Sequence, residues 1–310
     1  MGASPRPISR HLKCGRGGPT EIGLGEASDN YNVSMIPSLL AIDIGNTRVK
    51  FGVFPNAAEC IAKAQRGALP LAAPVLPEPA DVASFDPAAA NLSEQVAEWL
   101  AQLGPAQVVA ASVNRTTAAV LEQLLARQET VPCWLTNSEL PIAIRVDQPQ
   151  RVGIDRLLAA VAANELRRPN TPAIVVDLGT ALKVDLISAD GAFCGGAIAP
   201  GIRMSARALC EQTDALPESE LVELNESPPS VGTNTHAAIR SGLYWGAVGA
   251  VRELIARHRD GLTTPPQVFL TGGAAPAVAK LIGSPEYTVR YVPDMVLRGI
   301  AVVAEKLNDQ

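Results

Sequence analysis

A chain of 310 residues, 47% hydrophobic and 18% charged, holds enough apolar material for two lobes of ordinary domain size and reads as a soluble globular protein. Its net charge of −5 argues against a nucleic-acid partner, which usually presents a basic patch, and no apolar run approaches the roughly 20 residues that span a membrane. The five cysteines form no Cys-x-x-Cys pair and no segment has the apolar stretch of a secretory signal, so reduced thiols and a cytoplasmic location are expected.

Residues 1–37 are rich in Gly, Ser, Pro and Arg and lack hydrophobic periodicity. They are expected to be a disordered extension, or to precede a true start at Met35. An N-terminal lobe, 38–150, opens with strands over Leu39–Asp43 and Arg48–Phe54. Ala57–Ala90 is Ala/Pro-rich, with room for a strand and a long loop. Leu92–Leu103 has helical spacing through Leu92, Val96, Trp99, Leu100 and Leu103. A strand at Gln107–Val113, a helix at Thr116–Arg127 and a strand at Val131–Leu135 complete an α/β alternation.

The second lobe, 151–310, repeats the programme. A helix over Val152–Arg168 ends at Pro169, and strands follow at Ala173–Asp177, Ala181–Ile187 and Ala192–Ile198. Helices are expected at Ile202–Gln212 and Thr233–Arg259. The strand Gln267–Thr271 enters Gly272-Gly273 and a further helix, and Asp294–Leu307 closes the chain.

One phrase occurs in both lobes. Ala41–Phe54 reads AIDIGNTRVKFGVF and Val175–Ile187 reads VVDLGTALKVDLI. Each is an apolar strand ending in Asp, a glycine turn and a second strand. Glycine permits the tight turn and a close-lying ligand, and the turn's N–H groups with the Asn46, Thr47 and Thr180 side chains can donate to phosphate oxygens. Asp43 can hold a hydrated Mg²⁺, and Lys50 can balance phosphate charge. Taken singly, each hairpin also reads as a plain structural turn. As a pair they resemble the phosphate-gripping device of actin, hexokinase and Hsp70-type ATPases. That resemblance implies an α/β, duplicated two-lobed actin-like ATPase (ribonuclease H-like) fold and phosphoryl transfer.

Gly153-Ile154-Asp155-Arg156 sets an acid beside a fork-shaped cation at a helix start. Asp155 can accept a proton from a hydroxyl and Arg156 can clamp an anion, although an acid in a first helical turn is also favoured by the macrodipole alone. Gly195-Gly196 and Pro200-Gly201 suit close backbone approach, and Thr233 is an N-cap candidate.

In order along the chain come DIGNTRVKFG, ASVN (Ala111–Asn114), GIDR, DLGTA, GGAIAPG, TDALP (Thr213–Pro217), VGTNTHAAIRSG and TGG. The series resembles type III pantothenate kinase from about Leu39 to the C-terminus. The resemblance implies ATP-dependent phosphorylation of pantothenate to 4'-phosphopantothenate, the first step of coenzyme A synthesis, in a homodimer. Asp43, Ile44, Gly45, Asn46, Thr47, Arg48, Val49 and Lys50 would form the first ATP loop, and Thr180 would contact ATP from the second. Asp155 would be the general base, with Gly153, Ile154, Arg156 and Thr235 on the substrate. Asp177 would bind a monovalent cation, K⁺ or NH₄⁺. Competing readings are a family member acting as a regulatory or binding protein, and a kinase of another small alcohol.

Two positions depart from the family pattern. Val146 stands where the family commonly has Tyr, and Lys183 where it has Thr. Lys183 leaves the turn that Asp177 enters, which brings the two side chains together across a hairpin. The expectation is that the Lys183 ammonium takes the place of the monovalent cation by pairing with Asp177. The alternative is that it points to solvent or to a phosphate.

Overall fold

The computed structural model describes residues 38–55, 75–104, 106–214 and 227–308. The expected extension over 1–37, residues 57–74 of the Ala57–Ala90 stretch and Ala215–Pro217 of the TDALP motif lie outside the described residues.

The first sheet runs β3-β2-β1-β4-β5, with β1 at Ser38–Ile44, β2 at Val49–Phe54, β3 at Asp81–Phe85, β4 at Ala106–Ser112 and β5 at Cys133–Trp134. The second runs β8-β7-β6-β9-β10, with β6 at Ala173–Leu178, β7 at Ala181–Ile187, β8 at Phe193–Pro200, β9 at Gln267–Thr271 and β10 at Thr288–Tyr291. In both sheets the first three strands form an antiparallel meander, and the fourth adds parallel to the first. The fifth adds parallel to the fourth. Equal order and equal sense make the two halves one architecture used twice, the duplicated actin-like ATPase fold that the paired hairpins imply.

Helices α1 (Leu92–Leu100) and α2 (Arg115–Arg127) flank the first sheet, and α4 (Ile202–Glu211), α5 (Thr235–Arg259) and α6 (Ala275–Ile282) belong to the second. Two further helices, α3 (Ile154–Leu166) and α7 (Met295–Asn308), share one core with residues of both sheets. Helix α3 reads Leu-Leu-Ala-Ala-Val-Ala-Ala over 157–163 and every one of these side chains is buried. A helix apolar on all faces has to lie inside. Small side chains let the helices approach closely: a Cβ on Gly299 of α7 would stand 2.2 Å from the Leu158 carbonyl oxygen of α3.

The outer faces have their own cores. Phe51, Phe85 and Trp99 pack together in the first half, Phe85 edge-on to both partners and Phe51 tilted against Trp99, with Phe51 and Phe85 centroids 5.5 Å apart. In the second half Tyr244, Val248, Val251 and Ile255 of α5 cover Ile174, Val176 and Val184. Two expectations shift at element ends. The cap of α5 is Asn234 rather than Thr233, its side chain accepting from the Ala237 N–H at 2.9 Å. The strand expected at Val131–Leu135 shortens to two residues at the sheet edge, and β10 arises in a Gly/Ser-flanked stretch that carries little hydrophobic alternation.

Candidate active site

Both hairpins deliver an acid at a strand end. In the β1–β2 ladder Asp43 lies opposite Lys50, and in the β6–β7 ladder Asp177 lies opposite Lys183. The first turn is closed by the Gly45 N–H donating to the Arg48 carbonyl at 2.9 Å, which leaves Asn46, Thr47 and Arg48 exposed. Ile44 and Val49 are buried in the lobe core, so that part of the loop offers its backbone rather than its side chains. The Thr47 and Thr180 hydroxyls meet in a hydrogen bond, so the two turns face one another at their tips.

The second turn is held from behind. Gly201 donates to the Thr180 carbonyl at 3.2 Å, and Ala274 to the Leu178 carbonyl at 3.2 Å. Gly272, at φ +91°, leaves no room for a side chain, because a Cβ there would lie 2.6 Å from Asp177 Oδ1. That φ is strained for a residue with a side chain.

Lys183 does pair with Asp177, as expected: its Nζ lies 2.7 Å from Asp177 Oδ2. It also lies 2.8 Å from Asp155 Oδ2, a contact that sequence spacing does not reveal. Burial works against the ammonium, but the carboxylates of Asp177 and Asp155 outweigh it and hold the Lys183 pKa above its ordinary value. Lys50 behaves alike: burial opposes its charge and Asp294, 2.9 Å away, raises its pKa. Asp43 is pushed up to about 7 by burial and then by the nearby Asp155 charge, with Lys50 and Lys183 acting against the rise.

Asp155 sits in the first turn of α3, which Gly153 caps. Its Oδ1 folds back over Gly153, 2.5 Å from where a Cβ would be, so the glycine makes space for the acid. Gly153 and Ile154 line a cavity of about 700 Å³, together with apolar Val113, Leu135, Ile144 and Val152 and polar Thr136, Asn137, Ser138 and Gln150. Asn137 braces the wall by donating to the Pro149 and Val152 carbonyls at 3.2 and 2.9 Å.

The Arg156 fork is directed at Asp185, with Nε 3.1 Å from both carboxylate oxygens, and the guanidinium lies 5.2 Å from the centre of the Phe193 ring. Asp185 is buried, and burial raises its pKa against the pull of Arg156. Asp185 and Asp294 are site-neighbouring acids that motif reading missed. The signal for Asp185 was present in the alternation Lys183-x-Asp185 on one strand, because residues two apart share a face. Thr235 is exposed in the first turn of α5, and Val146 lies by Gly195, whose Cβ would stand 3.3 Å from Val146 Cγ1.

A Mg²⁺ ion keeps several waters and needs few carboxylates, which fits Asp43 beside the polar turn at Gly45–Thr47. A monovalent cation at Asp177 would meet the Lys183 ammonium, which already stands 2.7 Å from Oδ2 and supplies a positive charge there. Among the described residues, no group of three or more His, Cys, Asp or Glu side chains is placed to hold a metal, and no helix is long and apolar enough to cross a membrane.

A family model described as type III pantothenate kinase matches residues 39–257. A protein of Anaeromyxobacter dehalogenans strain 2CP-C with the same description is 36% identical over 273 residues, covering 86% of this chain and 99% of that protein. One of Dehalococcoides mccartyi strain ATCC BAA-2266 is 32% identical over 280 residues, covering 87% and 98%. One of Gluconobacter oxydans strain 621H is 41% identical over a shorter span of 165 residues, 53% of this chain and 58% of that protein.

Proposed function

The chain belongs to the type III pantothenate kinase family, and from that premise we propose that it transfers the ATP γ-phosphoryl group to the primary hydroxyl of pantothenate. The products are 4'-phosphopantothenate and ADP, in the first step of coenzyme A biosynthesis. The observation that carries the reading is the convergence of the two hairpin turns at Thr47 and Thr180, with Asp155 joined to the second hairpin through Lys183.

In this reading Asp43–Lys50 and Thr180 hold the nucleotide phosphates, and Asp43 would support Mg²⁺ through water. The ion, when bound, neutralises charge on the phosphates. The pantothenate hydroxyl approaches from the cavity beside Gly153 and Ile154. Its oxygen attacks the γ-phosphorus, the bond from that phosphorus to the β–γ bridging oxygen breaks, and ADP leaves. The hydroxyl proton passes to Asp155. Catalysis of this type is mostly positioning and charge stabilisation. Arg156 acts through its place in the α3 first turn, and Thr235 reaches pantothenate in the assembled homodimer. Exposed Ile198 on β8 and Met204 on α4 support such an assembly by offering apolar surface.

The test is incubation of the purified protein with ATP, Mg²⁺ and pantothenate, reading ADP release and the mass of the product. Formation of phosphopantothenate in step with ADP supports the reading. ADP release without it, or activity only with another alcohol, overturns it. Light scattering of the same sample checks the dimer.

A further inference from the structure

Lys183 joins two carboxylates that belong to different parts of the site. Its Nζ is 2.8 Å from Asp155 Oδ2 on α3 and 2.7 Å from Asp177 Oδ2 on β6, and the side chains are 17–18% exposed. Two acids converging on one partly buried point repel unless a cation stands between them. Here the chain itself supplies that cation. An ammonium has three donors and no acceptor, so it can hold both carboxylates at once.

Asp155 shows a matching asymmetry. Oδ2 faces Lys183, while Oδ1 turns back over Gly153, which lines the 700 Å³ cavity. The oxygen bonded to Lys183 is fixed, and the other lies against Gly153, a residue of the cavity wall. The next residue repeats the contact with reversed sign. Lys183 and Asp185 share one face of β7, and Asp155 and Arg156 are consecutive on α3, so the pairs are Asp155–Lys183 and Arg156–Asp185. Sliding α3 against β7 so as to exchange partners would set acid against acid and base against base. Charge therefore fixes how the first turn of α3 lies on the sheet.

We infer that Lys183 is a positioning residue for phosphoryl transfer, its ammonium locking the Asp155 carboxylate against Asp177 and standing permanently where a monovalent cation would otherwise be needed. The inference rests on the kinase reading above. It goes beyond that reading in assigning a role to a side chain that departs from the family pattern and in making turnover independent of K⁺ and NH₄⁺.

The experiment compares wild type, Lys183→Met, Lys183→Arg, Asp155→Asn and Lys183→Met/Asp155→Asn in a Tris buffer free of K⁺ and NH₄⁺. Wild-type turnover changes less than about twofold when K⁺, NH₄⁺ or Na⁺ is added. Lys183→Met loses about 10- to 100-fold in kcat, the scale of a misplaced reacting group, while the KM for pantothenate and for ATP moves less than about threefold. Lys183→Arg, which keeps the charge, recovers part of kcat. Thermal unfolding of the four-member cycle wild type, Lys183→Met, Asp155→Asn and the double variant reads the bridge without substrate. The Tm loss caused by Lys183→Met shrinks when Asp155 is already Asn.

Severalfold stimulation of the wild type by K⁺ or NH₄⁺ over Na⁺ would overturn the inference. So would a Lys183→Met variant with kcat within twofold of wild type, a loss confined to the KM for ATP, or additive Tm shifts. Should the Met variant not fold, Lys183→Gln is read in its place. If the wild type makes no phosphopantothenate, the kinase reading fails by that result alone, while the unfolding cycle still decides whether Lys183 holds Asp155.

Discussion

Lys183 stands opposite Asp177 in the second hairpin as Lys50 stands opposite Asp43 in the first. The paired positions are equivalent, but the ammonium groups go different ways. Lys50 reaches Asp294 at the entry to α7, whereas Lys183 stays with Asp177 and adds Asp155. The first hairpin thus keeps an acid whose charge is opposed by burial and by Asp155, and Asp43 is pushed up to about 7.

A pH dependence follows for the ligand-free protein. The ordinary value for Asp43 is 3.8 and the folded value is about 7. Between them the folded state binds more protons than the unfolded state, so stability falls as pH rises from about 4 to 7 and the penalty is complete above that window. The slope due to this one group does not exceed about 1.4 kcal/mol per pH unit. Asp43→Asn removes it. Urea unfolding of both proteins from pH 4.5 to 8 should show wild type losing stability relative to Asp43→Asn as pH rises. Parallel curves across that range would contradict the assignment.

Asp155→Asn keeps the size of the side chain but accepts no proton. Turnover should fall by about 10²–10⁴-fold, the usual contribution of a positioned base. ATP affinity, read by fluorescence titration with Mg²⁺, should change little, because the proposed mechanism places the nucleotide on the hairpin turns. A variant with near-normal kcat removes Asp155 from the role of base.

Much of this was legible in the chain. The repeated Asp-x-Gly turn located both hairpins because strand, glycine and strand are local signals, and the Asp177–Lys183 contact followed from hairpin geometry. The Lys183–Asp155 and Arg156–Asp185 contacts were not legible, because they depend on where α3 lies against β7. That placement is set by tertiary packing such as the Leu158–Gly299 approach, and no local pattern encodes it. Asp294 escaped for the same reason: its partner Lys50 is distant in sequence. The strand β10 was missed because an exposed edge strand needs little hydrophobic alternation.

The two glycines after β9 make opposite predictions. Gly272 has φ +91°, and a Cβ there would meet the Leu178 carbonyl carbon at 2.5 Å and Asp177 Oδ1 at 2.6 Å. Gly273 has nothing within 4 Å of an added Cβ. Gly272→Ala should destabilise by about 1–3 kcal/mol through strain and overpacking, and should weaken nucleotide binding by displacing the second hairpin. Gly273→Ala should be near neutral in both thermal unfolding and ATP titration. Equal behaviour of the two variants would deny that Gly272 supports the Asp177 turn.

Asp185 is 3% exposed, and its partner Arg156 makes two 3.1 Å contacts from Nε under the Phe193 ring. Removing one member of a buried pair leaves the other charged and enclosed, which typically costs about 3–5 kcal/mol. Replacing both with apolar side chains removes the stranded charge. Asp185→Asn should therefore unfold at markedly lower urea, and Arg156→Met/Asp185→Leu should regain most of that loss. The double variant should still turn over slowly, since the charge that fixes the first turn of α3 on β7 is gone while Asp155 and Lys183 remain. Urea midpoints and kcat measured on the same preparations separate the two effects. An Asp185→Asn protein within about 1 kcal/mol of wild type would mean that Arg156 finds solvent or another acceptor and that the pair does not anchor the helix.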